Sequence, residues 1–482
     1  MSEPATSITV PKDRIPFGHK VAYGLGGFVN NMLATASSGM MIILNLGFGM
    51  NPALVGLLGA LPRITDAFTD PIVGYISDTT STKWGRRRPY IFWGAIASGV
   101  IFALLWQIPR GWSETAIFIW FLVGSILFYL AYTVYATPWV ALGFELTPDY
   151  NERTRVMGYS NFFQQPVNLI APWFLWFVSY EVLFDTQAEG ARWLAIAVGV
   201  VVVAVGVIPA IVLREPMKAV AAAEVPSEAR ASLGEKMKAF FAGVVTTFKS
   251  RPFLLLCIAT FLVFNGFILI AAFQSYVIIY YIFGGDEALG AEFVGYAGTT
   301  GAIAGFAIVV FSAWLGTRIG KRKSLMVCLA VSVVGYVSKW FAYDPANPWL
   351  LLLPAPLMAF GFASLFTLVP AMVADVVDVD ELETHERREG TYGSIYWWFV
   401  KVGLAAALAA GGVLLNATGF DVDLGSAQSD HTLLMLRVYD VAVPAVTSLV
   451  AIWAVWKFPI TEATAREVRD QLEARRGTAG AG

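Results

Sequence analysis

Long apolar runs separated by short polar stretches make up most of this chain of 482 residues. A run needs about 20 residues to cross a bilayer as a helix. Six runs of that length come first, and six more follow a central polar stretch. They begin near Val21, Ala53, Tyr90, Thr115, Val156, Trp193, Pro252, Glu292, Ser324, Asn347, Thr391 and His431. The pattern predicts an all-α integral membrane protein with about twelve transmembrane helices.

The central polar stretch divides the chain into two halves that resemble each other. We expect a six-helix bundle over 1–215, a cytoplasmic loop over 216–250, a second six-helix bundle over 251–460 and a cytoplasmic tail over 461–482. Gly85-Arg86 recurs as Gly320-Lys321. Acids, a basic pair, glycine and an aromatic residue occur in 145–159 and again in 378–392. Two six-helix halves in parallel repeat resemble the major facilitator fold.

Composition agrees with a membrane location and gives no sign of catalysis. Charged residues make up 14% of the chain, against about 25% in soluble proteins. The two cysteines, Cys257 and Cys328, lie in apolar runs and offer neither a disulfide framework nor metal spacing. We find no nucleophile elbow, phosphate-binding loop or zinc motif. We therefore expect no enzyme, no cofactor and no nucleic-acid partner, and a protein that is monomeric in the lipid bilayer.

Basic residues predict the orientation. Most of the 33 Lys and Arg residues fall in loops that lie on one side if the helices alternate in direction. Positive loops stay in the cytoplasm, so we expect a multi-pass protein of the cell membrane (inner or plasma membrane) with both termini inside.

The second predicted helix carries charges that a bilayer disfavours. Arg63, Asp66 and Asp70 occupy positions i, i+3 and i+7 and share one face. Each charge at the bilayer centre costs about 2.5–3.5 kcal/mol, so this face is predicted to line a polar cavity. Two close carboxylates disfavour joint ionisation, so they favour binding of a proton or of a metal cation such as Na⁺. The alternative is permanent neutralisation by Arg63 or Lys401.

These residues lie in motifs that resemble a known family. R-x-x-D-A-x-x-D-P over 63–71, W-G-R-x-R-P over 84–89, and the stretches 138–156 and 375–401 are similar to the glycoside–pentoside–hexuronide:cation symporters, which include melibiose permease. The resemblance implies alternating-access symport of a sugar or glycoside with Na⁺ or H⁺. It implies a cation site at Asp66 and Asp70 with Thr133 as a further ligand, and places Lys401 nearby.

The resemblance also shows departures on the sugar side. Asn31, Ala136 and Asn161 stand where melibiose permease has two aspartates and an arginine. The charges that recognise galactosides are therefore absent, and we expect a cargo other than melibiose.

Amide side chains are the best candidates for binding a hydroxyl-rich cargo, because amides both donate and accept hydrogen bonds. Four of them follow helical spacing on the fifth predicted helix. The alternative is hydrogen bonding between helices, and for the aromatic candidates it is packing. The predicted substrate-binding residues are Asn30, Asn31, Trp139, Asn161, Gln164, Gln165, Asn168, Asn265, Gln274 and Trp398.

Charged residues of the cytoplasmic loops form a predicted gate of salt bridges. Exposed ion pairs contribute only about 0–1 kcal/mol each, which suits contacts that open and close. The alternative is that these residues only fix the topology. The predicted gate comprises Asp78, Arg86, Arg88, Glu145, Asp149, Arg153, Arg155, Asp375, Asp378, Arg387 and Arg388.

Lys401 and Arg63 are the predicted charge-coupling residues. Lys401 is a lone cation in an apolar run and could pair with Asp66 or Asp70. The alternative for Lys401 is snorkelling to the interface. Other functions that fit the same fold are a proton-coupled exporter, a lysolipid-type carrier and a non-transporting membrane sensor.

Overall fold

A computed structural model describes residues 14–80, 82–147, 150–215, 243, 247–385 and 388–479. The described part of the chain is helical and contains no β-strand. Its helices form twelve long segments, followed by a C-terminal helix. The number of segments agrees with the sequence prediction.

Six segments come from the first half. They comprise α1 (Phe17–Gly39) with α2 (Ile42–Leu46), α3 (Pro52–Thr79), α4 (Arg88–Leu105), α5 (Glu114–Glu145), α6 (Tyr150–Ile170) with α7 (Phe174–Val178), and α8 (Gln187–Gly206) with α9 (Ile208–Val212).

Six further segments come from the second half. They comprise α10 (Arg251–Tyr276) with a π-helical turn (Val277–Ile282), α11 (Glu287–Ile319), α12 (Lys321–Ala342), α13 (Pro354–Thr384), α14 (Glu389–Ala417) and α15 (Asp430–Trp456). Helix α16 (Glu462–Ala479) lies in the predicted tail. Most of the predicted loop 216–250 lies outside the described residues.

Local sequence explains where several helices begin. The side chains of Ser113, Thr186, Asp286 and Ser429 each accept a hydrogen bond from a backbone amide three residues later. Such N-caps satisfy amides that the helix itself leaves without partners. Pro89 and Pro252 lie in the first turn of α4 and α10, where a missing amide hydrogen costs little.

Ten of the twelve segments are long and apolar enough to cross a membrane, as judged over the described residues. The other two are α3, which contains Arg63, Asp66 and Asp70, and α6, which contains the amide series. The two helices that are too polar to count as candidate spans are therefore those that carry the predicted cation-binding aspartates and the predicted substrate-binding amides.

The chain divides into two compact units. Unit 1 takes the described parts of Met1–Phe48 and Ile64–Leu233, and unit 2 takes those of Gly49–Arg63 and Gly234–Gly482. The first part of α3 therefore belongs to unit 2, although the sequence places it in the first half.

The same packing pattern occurs in both units. In unit 1, α1 packs on α6, and α4 packs on α5 and α8. In unit 2, α10 packs on α14, and α12 packs on α13 and α15. These pairs are equivalent by order along each half, so the internal repeat seen in the sequence extends to the tertiary structure. A buried cluster of apolar side chains on α10, α12, α13, α14 and α15 forms the core of unit 2.

Candidate functional site

Thr133 joins the two helix-borne aspartates of unit 1. Its hydroxyl oxygen lies 2.7 Å from Asp66 Oδ1 and 3.1 Å from Asp70 Oδ1. Thr133 is 1% exposed and Asp66 is 7% exposed. The aspartates come to one face of α3 because they are four residues apart, and α5 brings Thr133 to that face. Three side-chain oxygens thus converge in a largely buried place.

The hydroxyl of Thr133 has one hydrogen, which it can donate fully to only one of the two carboxylates. Carboxylate and hydroxyl oxygens in this arrangement can accept a proton or coordinate a small cation. No group of three or more His, Cys, Asp or Glu side chains suited to a metal occurs among the described residues.

The two predicted charge-coupling residues both lie in unit 2. Arg63 is half-buried on the first part of α3, and Lys401 is half-buried on α14. Their pairing with Asp66 or Asp70 stays a prediction.

The amide side chains of α1 and α6 form one network in unit 1. Asn31 Nδ2 donates to Gln164 O (2.9 Å) and to Asn168 Oδ1 (3.0 Å). Gln164 Nε2 donates to Ser160, and Asn168 Nδ2 donates to Gln165 Oε1 at 3.0 Å. The network fastens α1 to α6, as the helix-pairing alternative expects.

Part of the α6 amide series is not buried. Asn161 and Asn168 are exposed, and Gln165 is half-buried. Because Asn161 and Gln165 are four residues apart, they share a face about 6 Å apart along the axis. This face can donate hydrogen bonds to a polar ligand. Asn30 has a different partner, since its Oδ1 accepts from the Tyr132 hydroxyl at 3.0 Å.

Trp139 has the packing role that was the alternative to ligand binding for the aromatic candidates. It is 3% exposed and stacks on Tyr23 with ring centroids 5.0 Å apart. Its indole fills the space beside Gly26, where a Cβ would lie 2.2 Å from Nε1. The structure thus places Trp139 between helices rather than on a ligand-facing surface.

The predicted ligand residues of unit 2 lie on α10 and α14. Asn265 is buried and donates to Phe261 O of its own helix at 2.7 Å. Gln274 is half-buried on α10, and Trp398 is half-buried on α14. The Asn265 amide therefore makes a hydrogen bond within its own helix. Ligand binding by Gln274 and Trp398 stays a prediction.

A charge cluster in unit 1 contains three of the predicted gate residues. Arg86 binds both Glu145 oxygens at 2.8 Å, and Arg87 reaches Glu145 Oε2 at 2.7 Å. Arg88 donates instead to the carbonyls of Ala210 and Ile211 at the end of α9.

Glu215 completes this cluster, and the sequence did not reveal it. Its carboxylate accepts from the backbone amides of Arg86, Arg87 and Arg88 at 2.7–3.0 Å. An anion at a helix N-terminus is favourable because the first amides of a helix have no internal acceptor. Glu215 thereby fixes the start of α4.

The gate residues after α5 have mostly local partners. Arg153 donates to Thr147 O, and Arg155 binds Glu152 at 3.0 Å. Glu152 is buried and also accepts from Lys20 Nζ (2.5 Å) and from the Ile15 amide (3.1 Å). Glu152 and Lys20 were missed because they look like ordinary loop charges. Asp149, Arg387 and the side chain of Asp78 lie outside the described residues.

Unit 2 contains a counterpart of the unit 1 cluster. Lys321 Nζ lies 2.7 Å from Asp375, and Arg388 Nε lies 3.6 Å from Asp380 Oδ2. A Cβ on Gly320 would lie 3.0 Å from Glu462 Oε2. The Lys321–Asp375 pair thus corresponds to Arg86–Glu145, and Glu462 lies beside Gly320 as Glu215 lies beside Gly85. Asp378 is half-buried on α13. All these ion pairs join residues of one unit.

Lys339 and Asp440 form a buried ion pair between α12 and α15 that the sequence analysis missed. Their side chains are 0% and 1% exposed. Lys339 Nζ also lies 5.1 Å from the ring centroid of Tyr343. Burial, together with the nearby Asp440 carboxylate, raises the pKa of Tyr343 well above its ordinary value. A single charge inside each of two apolar runs is the signal that could have indicated this pair.

A helical multi-pass fold with a repeated packing pattern and a polar site on α3 and α6 defines a membrane transporter of the major facilitator type. The model of one family, MFS/sugar transport protein, matches residues 22–462. The chain belongs to this family. The resemblance to the glycoside–pentoside–hexuronide symporters is thereby confirmed, as is the expectation of a transporter rather than an enzyme.

Two relatives match almost the whole chain. The uncharacterized symporter YnaJ of Bacillus subtilis (strain 168) is 24% identical and covers 96% of both proteins. The isoprimeverose transporter of Lactiplantibacillus pentosus is 26% identical, over 92% of this chain and 89% of its own length.

The fold is also similar to solved transporter structures. A bacterial homologue of the human lysosomal transporter Spinster, in an inward-facing and unoccupied conformation, aligns with a TM-score of 0.65 at 15% identity. The alignment covers 94% of this chain and 96% of that one. It supports the major facilitator fold.

Proposed function

We propose that this sugar transporter couples uptake of its cargo to Na⁺ or H⁺ by symport. The observation that carries the proposal is the convergence of Thr133 Oγ1 with Asp66 Oδ1 and Asp70 Oδ1. A cation bound there neutralises charge that is costly inside a bilayer. Without the cation, the charged site opposes the alternation of access, so cation and sugar cross together.

The cargo in this proposal is a sugar or glycoside held by amides rather than by charged side chains. The exposed amides of α6 can donate to ring hydroxyls, while Asn31 keeps α1 and α6 in register. The isoprimeverose transporter supports this choice, because its name describes a sugar as cargo.

The proposed orientation has both termini in the cytoplasm. The arginine-rich turn between α3 and α4, the lysine-rich start of α12 and helix α16 then lie inside. The positive-inside rule supports this assignment. It puts the N-terminal end of α3 on the outer side of the membrane.

Uptake into proteoliposomes tests the proposal. A panel of labelled glycosides is offered under an imposed Na⁺ gradient and separately under a pH gradient. We expect one gradient to drive accumulation, and Asp66→Asn to abolish it. Asp430→Asn, an exposed aspartate at the start of α15, is the control and retains accumulation. Gradient-driven accumulation by Asp66→Asn at the wild-type level rejects the coupling site.

The same panel includes a lysophospholipid and an outward-directed substrate gradient. Transport of the lipid alone, or net export alone, replaces sugar symport with the lysolipid-carrier or exporter alternative. If the wild-type protein transports none of these compounds under any gradient, the remaining alternative is a non-transporting membrane sensor.

A further inference from the structure

The guanidinium group of Arg437 on α15 lies against two aromatic rings of neighbouring segments of unit 2. Its central carbon, Cζ, is 4.1 Å from the ring centroid of Tyr281, in the π-helical turn after α10, and 4.4 Å from that of Trp340 on α12. A terminal nitrogen of the same group donates to the Trp340 carbonyl at 3.0 Å. Arginine stacks on aromatic faces, so these contacts hold the guanidinium in a defined orientation.

The charge of Arg437 has no carboxylate partner among the described residues. Asp440, which follows three residues later on α15, forms its ion pair with the buried Lys339 instead. A guanidinium carries five N–H donors in one plane, and the bond to the Trp340 carbonyl uses one of them. Because aromatic rings contact the faces of the group, its N–H edge remains for an anion. A fork of parallel N–H groups matches two oxygens of a phosphate.

This guanidinium lies at one end of the helices of unit 2. Arg437 is about 10 Å along α15 from its first residue, whereas Trp340 and Tyr281 lie in the last turns of their segments. The long side chain therefore brings its charge from the apolar run of α15 to the boundary where the neighbouring segments end. Tryptophan and tyrosine at such ends are typical of the headgroup level of a bilayer.

An exposed apolar surface leads along α12 to the same place. Val334, Val337 and Phe341 are exposed and share one face of α12, since they occupy positions i, i+3 and i+7. Leu434 of α15 is also exposed. A single cationic fork at the end of an apolar face complements a phospholipid, which joins an anionic phosphate to hydrocarbon chains. A free anion would use only the charged part of this surface.

We propose that Arg437, Tyr281 and Trp340 form a binding site for the phosphate group of an anionic phospholipid such as phosphatidylglycerol. We call these three residues the headgroup site. The acyl chains of the bound lipid lie along the exposed face of α12. The proposal concerns a lipid and not the cargo, so it depends neither on the proposed symport nor on the orientation of the protein.

Thermal unfolding in detergent with rising amounts of phosphatidylglycerol tests the headgroup site. We expect the lipid to raise the melting temperature of the wild-type protein, and Arg437→Gln to increase the half-effective lipid concentration at least fivefold. Arg437→Lys keeps the charge but loses the planar fork, so we expect at least a threefold increase. Responses of both variants equal to that of the wild type overturn the proposal.

Arg192→Gln is the matched control. Arg192 is a half-buried arginine near the start of α8 that donates to the Ile108 carbonyl, and it has no aromatic ring contact among the described residues. We expect Arg192→Gln to retain the wild-type lipid response. An equal weakening in Arg192→Gln and Arg437→Gln indicates a general effect of positive charge and overturns the proposal.

Two further additives separate a lipid from its parts. Inorganic phosphate supplies the anion without chains, and dioleoylglycerol supplies the chains without phosphate. We expect neither to raise the melting temperature as phosphatidylglycerol does. Stabilisation by inorganic phosphate to the same extent indicates a free-anion site, and equal stabilisation by dioleoylglycerol indicates an apolar surface alone. Either result overturns the proposal.

Native mass spectrometry counts the lipid that stays bound. After mild release from detergent, we expect Arg437→Gln to retain at least threefold less phosphatidylglycerol than the wild type and Arg192→Gln to retain as much. Equal retention by all three proteins overturns the proposal. If Arg437→Gln does not purify as folded protein, Arg437→Lys replaces it in both measurements, and the additive series on the wild type needs no variant.

Discussion

The carboxylate of Glu215 lies in the space that a side chain at Gly85 would need. A Cβ on Gly85 would approach Glu215 Oε1 to 2.7 Å, and Gly85 has a φ of +116° that other residues rarely adopt. The glycine thus allows the anion to approach three successive backbone amides at the start of α4. The same juxtaposition of glycine and glutamate recurs at Gly320 and Glu462 in unit 2.

Glu215→Ala is expected to destabilise unit 1 by about 2 kcal/mol, because three amides lose a charged acceptor. Gly85→Ala is expected to cost about 1–3 kcal/mol through backbone strain and collision with Glu215. Thermal unfolding in detergent measures both variants. Gly305→Ala is the control, since a Cβ there meets nothing within 4 Å. Stability of Gly85→Ala equal to that of the control contradicts the contact.

Thr133→Val is expected to weaken activation of transport by the cation roughly 10- to 100-fold, whereas Thr133→Ser retains it. The valine keeps the volume but removes a hydroxyl that bonds charged groups, an interaction of about 1.5–3 kcal/mol. The measurement is sugar uptake as a function of Na⁺ or H⁺ concentration. An unchanged half-activating concentration in Thr133→Val means that the hydroxyl does not contribute to cation binding.

Lys339→Met is expected to destabilise the protein by about 3–5 kcal/mol, because Asp440 remains buried without its counter-charge. Asp440→Leu is expected to act similarly. The double variant Lys339→Met/Asp440→Leu removes both charges and should regain nearly all the lost stability. The double-mutant cycle is measured by chemical unfolding in mixed micelles.

The exposed pair Arg466 and Glu462 provides the comparison for that cycle. Arg466→Met should change the free energy of unfolding by less than about 1 kcal/mol, since exposed pairs contribute little. Additive losses at Lys339 and Asp440 show that the pair is not coupled.

Asn31→Ala is expected to affect mainly stability, whereas Asn161→Ala is expected to affect mainly sugar binding. Asn31 donates to two groups on α6, so its loss should lower stability by about 1 kcal/mol. The exposed Asn161 should affect mainly the sugar, with a several-fold rise in KM and little change in melting temperature. Unfolding scans and uptake kinetics on both variants separate the two roles. A stability loss in Asn161→Ala larger than that in Asn31→Ala reverses the assignment.

Some features of the protein follow from its sequence alone. The number of segments follows from the length of the apolar runs, because a fixed bilayer thickness sets a fixed helix length. The high cost of charge in a membrane singles out α3, and helical periodicity puts Asp66 and Asp70 on one face. The spacing of Asn161, Gln164, Gln165 and Asn168 places these amides on one side of α6 in the same way.

Only the tertiary structure decided which side chains meet. The amide of Asn31 fastens two helices, Trp139 fills the space beside Gly26, and Glu215 caps α4. Lys339 forms an ion pair with Asp440, and the backbone of Gly412 lies against that of Pro52. These partners are far apart in sequence, and each residue type is common in loops or apolar runs. Local periodicity fixes the face of a helix, whereas burial and pairing depend on which other helix covers that face.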